Sequence, residues 1–319
     1  MRANKTVTIL WALSSLGVSA ANADVSVVTS IKPVHSLVSG VMQGVGSPTV
    51  IIEGAGSPHT YSLKPSQAKQ LQDADLVFWM GDELEPFLRG PIQNIAKNAK
   101  SIKLIEAHGL KKIKFREGGM FDEHDDHDGH EHDKHAKDDH DDHGHGEYDP
   151  HVWLDPINAK AIVHEIEEAL VKADPKNAKE YKANADRIAG ELDQLVKELR
   201  AQFQPVQQKG LIVFHDAYQY FEQRFGVSAI GSITVSPEVM PGAERVSELR
   251  NKIRDLKATC IFSEPQFEPK LVRTLVEGTG ARAGVLDPLG ASLTKGPNLY
   301  FQLVREMARS LKECLSAKS

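Results

Sequence analysis

Cysteine is nearly absent: Cys260 and Cys314 are the only two in 319 residues. A structural zinc site built on thiolates needs more sulfur than two widely spaced cysteines give. Long apolar runs are missing as well. After the first two dozen residues nothing approaches the ~20 uncharged apolar positions that cross a bilayer as a helix, so no integral membrane protein of the helical kind is expected. Signatures of catalysis are also lacking. His164-Glu165 opens a zinc-protease helix pattern, but Glu168 stands where its second histidine belongs. No G-x-S-x-G elbow and no phosphate-binding glycine loop occur. The chain is read as a non-enzyme.

What the sequence does hold begins with an export signal. Arg2 and Lys5 precede a mostly apolar, uncharged stretch at 7–18, and Ala21-Asn22-Ala23 supplies the small residues that signal peptidase needs. Removing residues 1–23 of 319 leaves 296, starting at Asp24. The mature protein is expected in the periplasm, and no cysteine at the cut suggests a lipid anchor. That length suits two domains of ordinary size. A hydrophobic content of 40% with 6% aromatics fits a globular α/β protein.

Net charge is unevenly spread. The total of −6 becomes −8 without Arg2 and Lys5, and residues 122–149 alone carry thirteen Asp/Glu against Lys134 and Lys137, a local −11. About +3 remains for everything else, so the body carries no strong charge and no nucleic-acid partner is expected. In an oxidising compartment the pair Cys260/Cys314 is read as a disulfide that staples the last helix down.

Short apolar runs alternate with helical patterns. Strands are expected at 25–29, 49–52, 76–79 and 102–105, with helices at 33–42, 66–74 and 85–96 between them. The same rhythm returns with strands at 211–214, 228–233, 259–262 and 281–285 and helices at 217–225, 243–256, 269–277 and 297–315. Near-continuous apolar strands alternating with helices imply parallel sheets covered on both faces. Between the two units lie helices at 156–173 and 178–203. In the second, Ile188, Leu192, Leu195 and Leu199 recur at spacings of three and four. The expected fold is α/β: two lobes with mainly parallel sheets, spanning 24–155 and 206–319, joined by rigid connecting helices over 156–205.

One segment breaks the pattern. Residues 118–147 include His124, His127, His130, His132, His135, His140, His143 and His145, eight of the chain's fourteen histidines, amid Asp and Gly. Such a composition does not bury enough apolar surface to offset ordering entropy, so a disordered loop is expected. Its imidazoles and carboxylates are loose ligands for zinc and similar ions. Without fixed geometry they should bind weakly.

A tight site needs ligands held by structure, and six histidines lie outside that loop. His59 sits in a turn-rich loop after the strand at 49–52. His151 lies in the Pro-bracketed run Asp149-Pro150-His151-Val152-Trp153-Leu154-Asp155-Pro156. His215 follows the strand at 211–214. Ligands of open α/β sheets bind at the carboxyl ends of strands, where His59 and His215 both fall, one from each lobe. His35 and His164 are read as ordinary packing or surface residues.

Those three runs, Gly56-Ser57-Pro58-His59-Thr60-Tyr61-Ser62-Leu63-Lys64-Pro65-Ser66, the His151 run, and Phe214-His215-Asp216-Ala217-Tyr218, carry a resemblance. Together they resemble the zinc-uptake family among the metal-specific solute-binding proteins of ABC importers, over essentially the whole chain. The resemblance implies two α/β lobes bridged by a long helix, with the metal in the interlobe cleft. It implies His59, His151 and His215 as metal ligands, Zn2+ as transported cargo, and a membrane permease of an ABC importer as partner of a monomer. Manganese-type relatives place an acidic residue where His215 stands, and neutral imidazoles suit zinc. Some family members carry a ligating Glu before the first histidine; Pro58 stands there in this chain. The fourth position is therefore assigned to Asp287, which matches a carboxylate ligand of related carriers, or to a bound water. The alternatives to a zinc carrier are a manganese or iron(II) carrier of the same fold, and a secreted zinc hydrolase, because three histidines with an open position is also a catalytic arrangement.

Overall fold

The structure, a computed structural model, describes residues 25–116, 147–203, 210–234, 237, 241–255 and 258–316. The expected export signal, and all but Glu147 of the histidine-rich stretch, lie outside the described residues. In the first lobe, strands β1 (Val27–Thr29), β2 (Thr49–Val50), β3 (Leu76–Trp79) and β4 (Lys100–Lys103) form a parallel sheet in the order β2-β1-β3-β4. Helices α1 (Lys32–Val41), α2 (Pro65–Gln72) and α3 (Pro86–Asn94) make the crossovers. Every residue of β1 and β3 is buried, as expected for strands covered on both faces. The last strand starts two residues before the expected 102–105. Lys100 and Lys103 hide it from an apolar-run reading, and a single 3-10 turn at Leu104–Glu106 takes the remainder.

Two helices then join the lobes. In α4 (Pro156–Ala173), Asp155 caps the first turn by accepting from the Ile157 amide at 2.9 Å, with Pro156 at the first helical position. After a 3-10 turn at Pro175–Asn177 the chain continues as α5 (Ala178–Phe203), 26 residues long and so about 39 Å. Its buried stripe runs Tyr181, Ala185, Ile188, Leu192, Leu195, Leu199 and Phe203. Gly40 of α1 lets α5 come close: a Cβ there would stand 2.8 Å from Ile188 Cδ1.

The second lobe repeats the plan. Strands β5 (Leu211–Val213), β6 (Ala229–Ser232), β7 (Cys260–Ser263) and β8 (Arg282–Val285) form a parallel sheet in the order β6-β5-β7-β8, with helices α6 (Gln219–Phe225), α7 (Ala243–Asp255), α8 (Lys270–Val276) and α9 (Leu299–Ser316). Alternate residues of and after β5 divide cleanly between cores. Leu211 and Val213 belong to a cluster that continues through α5, α4 and α1 into the first sheet, whereas Ile212 and Phe214 face a smaller cluster under α7 and α8. The larger core is thus common to both lobes, and α5 touches α1 of one lobe and α6 and α9 of the other. A close-packed core resists continuous deformation, so a helix buried in a core common to both lobes acts as a rigid bridge.

Cys260 at the start of β7 and Cys314 in α9 form a disulfide, 54 residues apart, with Cα atoms 6.1 Å from each other. Closing a loop of that length is worth about 4 kcal/mol in the chain-entropy model. Changing both cysteines to serine should lower the thermal midpoint by roughly 8 °C at about 2 °C per kcal/mol for a chain of this size. Calorimetry measures it, and metal affinity at 25 °C should stay within a few-fold.

Candidate metal centre

Each of the three histidines is delivered by a different local device. His59 lies on the 51–64 loop that leaves β2, within the turn that Pro58 opens and after an earlier one that Gly54, at φ +66°, favours. His151 caps a 3-10 turn, Val152–Leu154, wedged before α4. His215 follows β5 at the point where the strand order of the second sheet reverses, between β5 and β7. Open α/β sheets bind ligands at such a switch point.

The three converge. One nitrogen from each of His59, His151 and His215 lies within 4.8 Å of the others, the one such group of three found among the described residues. Ring centroids are 5.6 Å apart for His59 and His151, 5.7 Å for His59 and His215, and 5.2 Å for His151 and His215. The Nε2 atoms of His151 and His215 face one another at 3.4 Å. His151 and His215 are buried and His59 is half-buried, so His59 stands on the solvent side. Their cavity is about 10 Å3, walled by Trp153, Glu264, Phe267, Pro288 and Leu289 among others. That is room for one atom-sized guest.

Two buried carboxylates aim the rings. His151 Nδ1 donates to Asp149 Oδ1 at 2.7 Å, and His215 Nδ1 donates to Glu264 Oε1 at 2.8 Å. With Nδ1 committed to a carboxylate, each Nε2 lone pair points into the cavity. Asp149 is itself fixed by the His151 backbone N–H at 2.9 Å and by Gln219 at 3.2 Å, and burial raises its carboxyl to about 7. Burial holds His151 well below the usual imidazole value, and the neighbouring His215 pushes it further down. For His215, burial pulls the same way but the charge and hydrogen bond of Glu264 outweigh it, and the group sits above its usual value. Ligand-orienting carboxylates of this kind are worth 10- to 100-fold in metal affinity. Glu264→Gln should weaken binding by about tenfold, read by competition with a calibrated chelator.

Asp287 occupies a different place. Its Oδ1 accepts from the Leu289 and Gly290 amides at 3.1 and 2.9 Å and from Gln266 at 3.1 Å, and its Oδ2 accepts from the Ala291 amide at 2.6 Å. It braces a turn beside the cavity and does not line it. His35 is buried in α1 with its ring on the Pro48 carbonyl at 3.3 Å, and His164 is a surface residue near Glu167 and Glu168. Sequence reasoning assigned neither Asp149 nor Glu264 the task of orienting a histidine. The detectable signal was an acid two residues before one histidine, and another directly after the strand beside the second.

Two parallel-sheet lobes locked by one long helix, with three imidazoles converging where the lobes meet, define a rigid two-lobed solute-binding protein with a site for a divalent metal. The chain belongs to the ZnuA family, described as zinc-uptake complex component A, periplasmic, which matches residues 27–314. It is 53% identical over 315 residues to the high-affinity zinc uptake system protein ZnuA of Brucella suis, covering 94% of each chain. With the protein of the same name from Yersinia pestis it shares 39% over 297 residues, 92% of each. Among solved structures, a zinc-bound ZnuA mutant lacking residues 138–173 superposes with a TM-score of 0.74 at 25% identity, covering 93% of this chain and all of that one.

Proposed function

We propose that this protein captures Zn2+ outside the cytoplasm through one ring nitrogen of His59 and the Nε2 atoms of His151 and His215 and delivers it to the permease of an ABC-type importer. The observation that carries the reading is the convergence of three imidazoles on a cavity of about 10 Å3. Zinc accepts neutral nitrogen ligands in tetrahedral geometry, whereas manganese prefers oxygen. The fourth corner is assigned to a water molecule, because Asp287 does not line the cavity and its oxygens brace the turn beside it. The names of the relatives supply the transport role and the periplasmic location.

The protein binds zinc rather than using it for catalysis. The family is described as a zinc-uptake component and the relatives are named as uptake proteins, which favours carriage over hydrolysis. A core shared by both lobes means that loading proceeds without a wide hinge motion, and release calls for the permease to act on both lobes. Competition titration tests the metal assignment: zinc should displace bound manganese at equal concentration, and manganese displacing zinc would overturn it.

A further inference from the structure

Lys32 breaks two local rules. It stands in the first turn of α1, where the helix dipole disfavours a cation, and it is buried. Burial draws its pKa down, with Asp287 pulling the other way. Local violations of this kind concentrate where a fold serves its function. The ammonium is directed entirely at the other lobe: Nζ donates to the carbonyls of Gly290, Ala291 at 3.1 Å and Leu293 at 2.6 Å, residues 258 to 261 positions further along the chain. The amides of the same turn face the opposite way, donating from Leu289, Gly290 and Ala291 to the Asp287 carboxylate. Trp153 Nε1 donates to the Pro288 carbonyl at 3.0 Å. The turn is therefore held by its own aspartate on one side and by the first lobe and the ligand-bearing 151–153 segment on the other. Its Pro288 and Leu289 wall the metal cavity.

We propose that Lys32 is a positioning residue that latches segment 288–293 of the second lobe over the three-histidine centre and thereby sets how slowly the metal leaves. It rests on the ligand reading above. Lys32 reaches no ligand atom, so its loss should change the rate of release and leave the coordination shell as it is.

The test is zinc release into excess chelator by stopped flow, for wild type, Lys32→Met, Lys32→Gln and Ser36→Ala, with zinc-edge X-ray absorption on each loaded protein. Ser36 is the comparison because it also joins the lobes, donating to the Pro297 carbonyl at 3.1 Å and accepting from the Tyr300 amide at 2.9 Å, away from the cavity wall. Lys32→Met should release zinc at least tenfold faster and Lys32→Gln less so. Ser36→Ala should match wild type, and all four should show the same nitrogen shell. Unchanged release in Lys32→Met, or equal acceleration in Ser36→Ala, overturns the latch. A wild-type spectrum without imidazole nitrogen overturns the ligand reading instead. If both Lys32 variants fail to fold, amine acetylation of the wild-type protein decides. Lys32 should take label only as zinc leaves, and labelling with zinc retained defeats the proposal.

Discussion

His59→Ala should lose two to three orders of magnitude in zinc affinity while removal of residues 120–146 changes it only a few-fold. Zinc held by folded ligand sets is worth roughly 10–16 kcal/mol. One ligand in three then carries roughly 3–5 kcal/mol, and each 1.4 kcal/mol is tenfold in the binding constant. His59 is the cleanest of the three to remove. It is half-buried, so alanine leaves no deep cavity. By contrast, His151→Ala strips Asp149 of its ring partner in a fully buried setting, which destabilises the protein as well as the site. Isothermal titration of the two variants beside the wild type is the measurement. Comparable losses in both would mean that the histidine-rich stretch and the folded centre share the tight binding.

The second large effect is with pH. Zinc needs the imidazole lone pairs, so each proton that must be displaced makes affinity fall tenfold per pH unit below the group's pKa. The ligands do not contribute equally. Burial holds His151 well below the ordinary value, so it contributes least to the slope. The His215 proton is retained to higher pH because Glu264 outweighs the effect of burial, so competition begins above the usual imidazole pKa of about 6.5. A fall of roughly a hundredfold or more between pH 7 and pH 5 is expected, beginning on the neutral side of pH 6.5. Glu264→Gln removes the charge that retains that proton. Its affinity is lower at pH 7 but should begin to fall at a lower pH than in the wild type. Titrations at half-unit intervals give both curves, and a flat wild-type profile down to pH 5 would rule out imidazole ligation.

The parallel architecture was legible because apolar strands and amphipathic helices alternate with little ambiguity. Both 76–79 and 178–203 fold over the residues that the pattern picks out. Element ends were legible only to within a few residues, since they depend on tertiary cover. The strand at Lys100–Lys103 was displaced because its lysines read as polar while its backbone pairs with β3. The three histidines could be picked out because strand ends and prolines mark their loops. Their support was not legible. Glu264 meets His215 only through the pairing of β5 with β7, and Lys32 meets the 290–293 carbonyls across more than 250 residues. No local pattern encodes such contacts. The bracing role of Asp287 was not legible either: the turn amides that donate to its oxygens are set by the fold of 287–291.

Zinc-edge anomalous diffraction from crystals of the loaded protein tests the central assignment most directly. A single strong peak between the lobes, roughly 2.0–2.1 Å from one nitrogen each of His59, His151 and His215, is the expected result. A peak bound by only one or two of these imidazoles, or lying away from the cavity bounded by Trp153 and Glu264, would contradict it.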